Sequence, residues 1–210
     1  MDDFLWQAFV TLLVVIDPFA VVPVYIGLTH QDNQATRRHI ARKSCLIGLV
    51  LLLSFAFAGD RLLNVLNISE PAFRIAGGFL LLLASIEMVM GKTVGLRAST
   101  GNEEQELNKR EDISVFPLAI PLLAGPGALT SIVVLMRQAQ THSFATSMGV
   151  VLLTVVIFVI TYIAFRLGDG IMKILGLTGT NVLTRVFGII LAALAVQNII
   201  TGVIAVLRAV

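Results

Sequence analysis

Two proline-rich interruptions, each set in the middle of an apolar run long enough to cross a bilayer, constrain this chain more than any other feature. The first reads Asp17-Pro18-Phe19-Ala20-Val21-Val22-Pro23. The second reads Pro121-Leu122-Leu123-Ala124-Gly125-Pro126-Gly127-Ala128-Leu129-Thr130. Proline lacks an N–H, and its ring crowds the carbonyl four residues back. In hydrocarbon a carbonyl freed in this way must be satisfied by protein, water or a ligand. Two such breaks in corresponding places of two half-chains point to the binding site of a small transporter.

Composition agrees with a membrane setting. Of the 210 residues 57% are hydrophobic and only 13% charged, against about 25% charged in a soluble domain. Six apolar runs, at about 4–28, 38–58, 73–91, 113–136, 145–166 and 183–206, approach or exceed the roughly 18 residues of a membrane span. They are continuous rather than alternating, which excludes a membrane barrel. The expected class is an all-α integral membrane protein. A formal charge of +2 gives no reason to invoke nucleic acid. Cys45 stands alone, and His30, His39 and His142 lie in polar connections, so no disulfide, metal site or cofactor is expected. No Ser–His pair falls within the spans, and an enzyme is not expected. Met1-Asp2-Asp3 is acidic where a signal peptide would be basic, so the first run is expected to stay as a span.

The two halves look alike. Asp17-Pro18-Phe19-Ala20 aligns with Gly125-Pro126-Gly127-Ala128, Gly59-Asp60 with Gly168-Asp169, Arg74-Ile75-Ala76-Gly77 with Arg185-Val186-Phe187-Gly188, and Gly91 with Gly202, all at nearly constant spacing. This divides the chain into a first three-helix repeat (1–91), a polar cytoplasmic linker (92–112) and a second repeat (113–210). Cytoplasmic flanks are enriched in Lys and Arg. Eleven of them (Arg37, Arg38, Arg42, Lys43, Lys92, Arg97, Lys109, Arg110, Arg166, Lys173 and Arg185) lie on one side. Four (Arg61, Arg74, Arg137 and Arg208) lie on the other. Both termini then face outside. An odd number of spans per half makes the second repeat inverted, with helices 1 and 4 broken.

Hydrogen-bond accounting gives the breaks their chemistry. Pro18 and Pro23 free the carbonyls of Val14 and Phe19; Pro121 and Pro126 free those of Pro117 and Leu122. Where each helix restarts, unpaired N–H groups make a partly positive end. Donors for a carboxylate and acceptors for an ammonium fit a zwitterion, and the small side chains of Ala20, Ala124, Gly125, Gly127 and Ala128 allow close approach. Asp17, a carboxylate near mid-span, could bind an ammonium, carry a coupling proton, or cap the restarting helix. Thr130 and Ser131 either donate to a ligand or bond their own backbone. Gln197 and Asn198 either hold helices together or line the pathway. Asp60 and Asp169 are expected in interfacial turns, Gly77 and Gly188 in helix packing, and Glu87 is expected to snorkel to the interface.

These stretches resemble the MarC family of inner-membrane proteins. The family pattern Asp/Asn-Pro-x-Gly-x-x-Pro is matched by Asp17 to Pro23, with Ala20 in place of the usual Gly. The later family motif is matched by Pro117-Leu118-Ala119-Ile120-Pro121-Leu122-Leu123-Ala124-Gly125-Pro126-Gly127-Ala128, and Asn181 to Gly188 is similar to the family's last span. The resemblance implies a multi-pass transporter of small neutral amino acids such as glycine and alanine, in a bacterial inner membrane. It also carries an association with antibiotic resistance, so efflux of antibiotics or other small hydrophobic solutes is the alternative. On this basis the expected substrate site comprises Asp17, Pro18, Phe19, Ala20, Pro23, Pro121, Ala124, Gly125, Pro126, Gly127, Ala128 and Thr130. Asp17, Gln197 and Asn198 are assigned to coupling or to the pathway. The coupling ion, H+ or Na+, the direction of transport and the oligomeric state stay open.

Overall fold

The computed structural model describes residues 2–90 and 112–209. Among these the regular elements are all helical: α1 (Asp2–Ile16), α2 (Pro18–Leu28), α3 (Gln34–Val65), α4 (Glu70–Met90), α5 (Ser114–Leu123), α6 (Pro126–His142), α7 (Phe144–Arg166) and α8 (Gly168–Ala209). Five stretches are long and apolar enough to cross a membrane, and six if α5 and α6, bent by 55°, count as one span. The protein is an integral membrane protein. Its outer surface carries Val50, Phe57, Phe79, Leu83, Leu152, Val159, Ile189 and Val203 exposed, as a lipid-facing bundle requires. The expected linker 92–112 lies outside the described residues except for Asp112.

Two expectations are corrected here. Gly59-Asp60 and Gly168-Asp169 do not form turns. The first pair lies inside α3, which runs on to Val65, and the second opens α8. Gly59 is buried against Val133, so close helix packing and not a turn accounts for that glycine, and the chain bends at Leu167, one residue before the second pair. The sixth span accordingly begins earlier than 183. Its helix is interrupted only at Gly176, whose φ of 60° suits a residue without Cβ.

Antiparallel helix pairs include α4–α8, α4–α6, α3–α7 and α1–α6. Along the α4–α8 seam, glycines let the backbones meet: a methyl on Gly78 would lie 2.9 Å from the Ala195 carbonyl oxygen, and one on Gly202 would lie 3.0 Å from that of Pro71. This is the close contact through small residues that holds membrane helices together without help from water. Gly48 of α3 faces Phe158 of α7, and Arg37, near the start of α3, meets Asp169, just past the end of α7. Phe4, near the start of α1, meets His142, at the end of α6, with ring centroids 5.4 Å apart.

The two ends of the bundle differ. At the end opposite the chain termini, Tyr25 stacks on Phe165 at 4.5 Å and donates its hydroxyl hydrogen to the Arg37 carbonyl. The Arg37 guanidinium grips Asp169 through two bonds of 3.0 and 3.1 Å, and Lys43 pairs with Asp112. The terminus-bearing end holds Phe4 and His142, with Arg137 donating to Asn64.

Candidate functional site

Asp17 is the single residue between α1 and α2. Its backbone is left-handed (φ 46°, ψ 67°), and its carboxylate accepts from the Ala20 N–H at 3.2 Å. The Asp17 N–H still donates to the Leu13 carbonyl, and Pro18 takes the first position of α2, where a missing N–H costs nothing. Left-handed backbone is unfavourable for most L-residues, but Asp tolerates it. Asp17 is 0% exposed. A strained, fully buried, acidic cap in the middle of an apolar run marks a site held in shape by its surroundings.

The second interruption is broader. Phe116 and Ile120, each before a proline, are pushed to extended conformations (φ −124°, ψ 130° and φ −125°, ψ 125°), and both of these X–Pro bonds are cis. The Ala124 N–H reaches back to the Ala119 carbonyl at 2.8 Å, and Gly125 caps α6. A methyl on Gly125 would lie 2.6 Å from the Pro121 carbonyl oxygen, so only glycine fits this close approach.

A cavity of about 30 Å³ opens at the bend, walled by Pro121, Gly125, Pro126, Gly127 and Ala128, by Val15 of α1, and by Leu81 and Leu191 of α4 and α8. Five expected site residues thus share one cavity with the last turn before the first interruption. Asp17, Pro18, Ala20 and Pro23 do not line it. Phe19 turns toward α8, where its ring meets Phe187 edge-on at 6.3 Å. Ala124 is buried beside the bend. Thr130 donates to the Pro126 carbonyl at 2.9 Å, and its methyl fills the space that a side chain at Gly77 would need. The sequence alone does not single out Val15, Leu81 or Leu191, because ordinary apolar residues acquire a role only through packing.

Gln197 and Asn198 lie apart from the bend. They border a second cavity of about 50 Å³ with Gln7, Thr11, Ser131 and Gln138. Glu87 is 8% exposed and buried in α4, not extended to the interface as expected; a helix face turned inward cannot snorkel. Among the described residues no three His, Cys, Asp or Glu side chains come together in a way that could hold a metal ion.

A family profile described as "MarC family integral membrane protein" matches residues 3–207. A UPF0056 membrane protein of Aquifex aeolicus is 36% identical over 93% of this chain and 90% of its own. The UPF0056 membrane protein MJ1677 of Methanocaldococcus jannaschii is 35% identical over 93% and 94%. The UPF0056 membrane protein YhcE of Escherichia coli is 33% identical over 94% and 91%. No solved structure matches. An end-to-end family match, joined to the two proline-rich motifs that first suggested it, means that this chain belongs to the MarC family of integral membrane proteins.

Proposed function

We propose that the protein transports small neutral amino acids, of the glycine and alanine class, by alternating access. Two inverted three-helix repeats would move about a site between the broken helices α1–α2 and α5–α6. The sharing of one cavity by Val15 and the Gly125–Ala128 bend carries this proposal. The antiparallel pairing of α3 with α7 and of α4 with α8 supports it as well, since inverted repeats pair their equivalent helices in opposite directions. At about 30 Å³ the cavity has room for a water or two. Even the smallest amino acid would therefore enter only when the interruptions part. Asp17, with its buried carboxylate, is the group placed to take part in H+ or Na+ coupling. The Lys- and Arg-rich end would face the cytoplasm across an inner membrane.

The test is uptake of labelled glycine and alanine into proteoliposomes under imposed proton or sodium gradients. Accumulation that follows one gradient is the expected result; its absence with correctly inserted protein would remove the proposal. One observation favours efflux of hydrophobic compounds as a second reading. A groove of about 400 Å³ runs between α3 and α7, lined by Cys45, Leu46, Leu49, Phe158, Val159 and Tyr162, and its size falls in the range of drug-sized pockets. No residue of either interruption lines it. A resistance assay in cells with and without the protein separates the two.

A further inference from the structure

The bend cavity and the polar cavity lie one above the other along the same three helices. On α1 the lining passes from Val15 to Thr11 and then Gln7. On α6 it passes from Ala128 to Ser131 and Leu135, with Gln138 one turn further. On α8 it passes from Leu191 to Leu194 and Asn198. Every step is three or four residues, so each helix presents one continuous face, and successive rungs are about 5 Å apart. All three faces head toward the terminus-bearing end, where Phe4 meets His142.

Chemistry and burial both change along this line. The bend is walled mainly by apolar and small side chains, whereas the second cavity adds carboxamides and hydroxyls, with no charge, to a wall that still includes Val134, Leu135 and Leu194. Ser131 and Thr11, nearest the bend, are buried; Gln138 and Asn198 are half-buried; Gln7 and Gln197 are exposed. Ser131 supplies an independent sign of a ligand. It is 4% exposed, lines the cavity, and its hydroxyl makes no hydrogen bond among the described residues. Its neighbour Thr130, like Thr154 and Thr161, instead donates to the carbonyl four residues back. A buried hydroxyl left without a partner is destabilising unless water or a solute meets it. The cavity is polar and roomy enough for a few waters.

We propose that this α1–α6–α8 seam is the aqueous half-passage between the bend and the terminus-side solution. It is a neutral, hydrogen-bonding funnel that passes small uncharged or zwitterionic solutes, with Ser131 as the deepest polar contact. Carboxamides offer both donors and acceptors, so they solvate both ends of a zwitterion without trapping either. The passage rests on the transport function proposed above, but its test reads water access and not uptake.

Cys45 is the only cysteine, so Cys45→Ala gives a background free of thiols. In it, Ser131→Cys, Thr11→Cys and Asn198→Cys are treated with a membrane-impermeant thiosulfonate in right-side-out and inverted vesicles. Val196→Cys, on the exposed apolar face of α8, is the lipid-facing control. The expected result is labelling of the three seam positions from the face that bears the termini, no labelling of Val196→Cys, and loss of the Ser131→Cys and Thr11→Cys signals at saturating glycine or alanine. Absence of labelling at all three positions, or labelling only from the opposite face, would overturn the passage, even for a protein that transports. Labelling that glycine and alanine leave unchanged would support the passage and count against the amino-acid substrate.

Discussion

Asp17 bridges two helices with a backbone that few residues tolerate, while its side chain closes the first turn of α2. Asn shares both abilities. Asp17→Asn is therefore expected to melt within about 0.5 kcal/mol of the native protein in detergent, since Asn and Asp cap nearly equally. Asp17→Ala should lose the cap, worth about 0.5–2 kcal/mol, and meet the left-handed penalty of about 1–2 kcal/mol. Equal melting of the two variants would deny the capping role. At the second interruption, Gly125→Ala drives a methyl onto the Pro121 carbonyl oxygen, a backbone atom that cannot rotate away. Such overpacking costs about 1–3 kcal/mol, and thermal melting together with solute uptake should both fall. Gly127 is different. The first atom that a methyl there would meet is the far end of the Leu81 side chain, at 2.9 Å, so substitution is borne by movement of a flexible group. Gly127→Leu should insert and fold yet fill the cavity and stop transport. Full uptake by that variant at normal expression would move the site elsewhere.

Among the helices, the α4–α8 seam and the bent α5–α6 pair set the distances between everything else. Gly78 meets Ile199 and the Ala195 carbonyl, whereas Gly27 of α2 has nothing within 4 Å of an added methyl. Gly78→Ala is expected to destabilise by roughly 1–3 kcal/mol. Gly27→Ala should stabilise by about 0.4–1 kcal/mol through the unfolded chain. Melting curves of the two variants that moved in the same direction would contradict this packing. The start of α5 is tied to α3 by Asp112. The Lys43 ammonium, and then the Ser114 hydroxyl, hold its carboxyl below the usual range. A depressed carboxylate stabilises above its unfolded value of about 4. That contribution is lost as pH falls through the lower folded value. The elements themselves were largely legible in the sequence: apolar runs located the spans, and prolines located the interruptions at Asp17 and Gly125. Less legible was where helices stop. Gly59-Asp60 and Gly168-Asp169 carry turn chemistry, but α3 runs through the first pair, where Gly59 packs against Val133, and the second pair starts α8 just after the break at Leu167. The polar seam was legible only in fragments. Gln197 and Asn198 stand out in an apolar helix, whereas Gln7, Thr11 and Gln138 join them only through the angles at which three helices pack. Periodicity along one chain does not specify those angles.

For the whole molecule, one end is tied across the two halves of the chain and the other is graded. Away from the termini, Tyr25 stacks on Phe165, and Arg37 holds Asp169, joining α2 and α3 of the first half to α7 and α8 of the second. Toward the termini, the α1–α6–α8 seam gains polar and exposed side chains, ending at Gln7, Gln138 and Asn198. In an alternating-access cycle the Arg37–Asp169 pair would form in the state that closes this end and part in the state that opens it. The side chains are 21% and 66% exposed, so the pair belongs with surface ion pairs, worth about 0.2–1 kcal/mol. A bias of that size changes a two-state population by about 1.5- to 5-fold, enough to measure and too small to lock the protein. Arg37→Asp should therefore leave the bundle folded, raise the accessibility of a cysteine placed at Pro23 to reagent from the Lys- and Arg-rich face, and lower that of Ser131→Cys from the other. Adding Asp169→Arg to Arg37→Asp restores the pair with its charges exchanged and should return both accessibilities toward their starting values. A surface pair without a part in gating would shift neither, and reversal at one position without recovery in the double variant would mean that Arg37 acts through its guanidinium over the Tyr25 ring, 5.8 Å from the centroid, and not through Asp169.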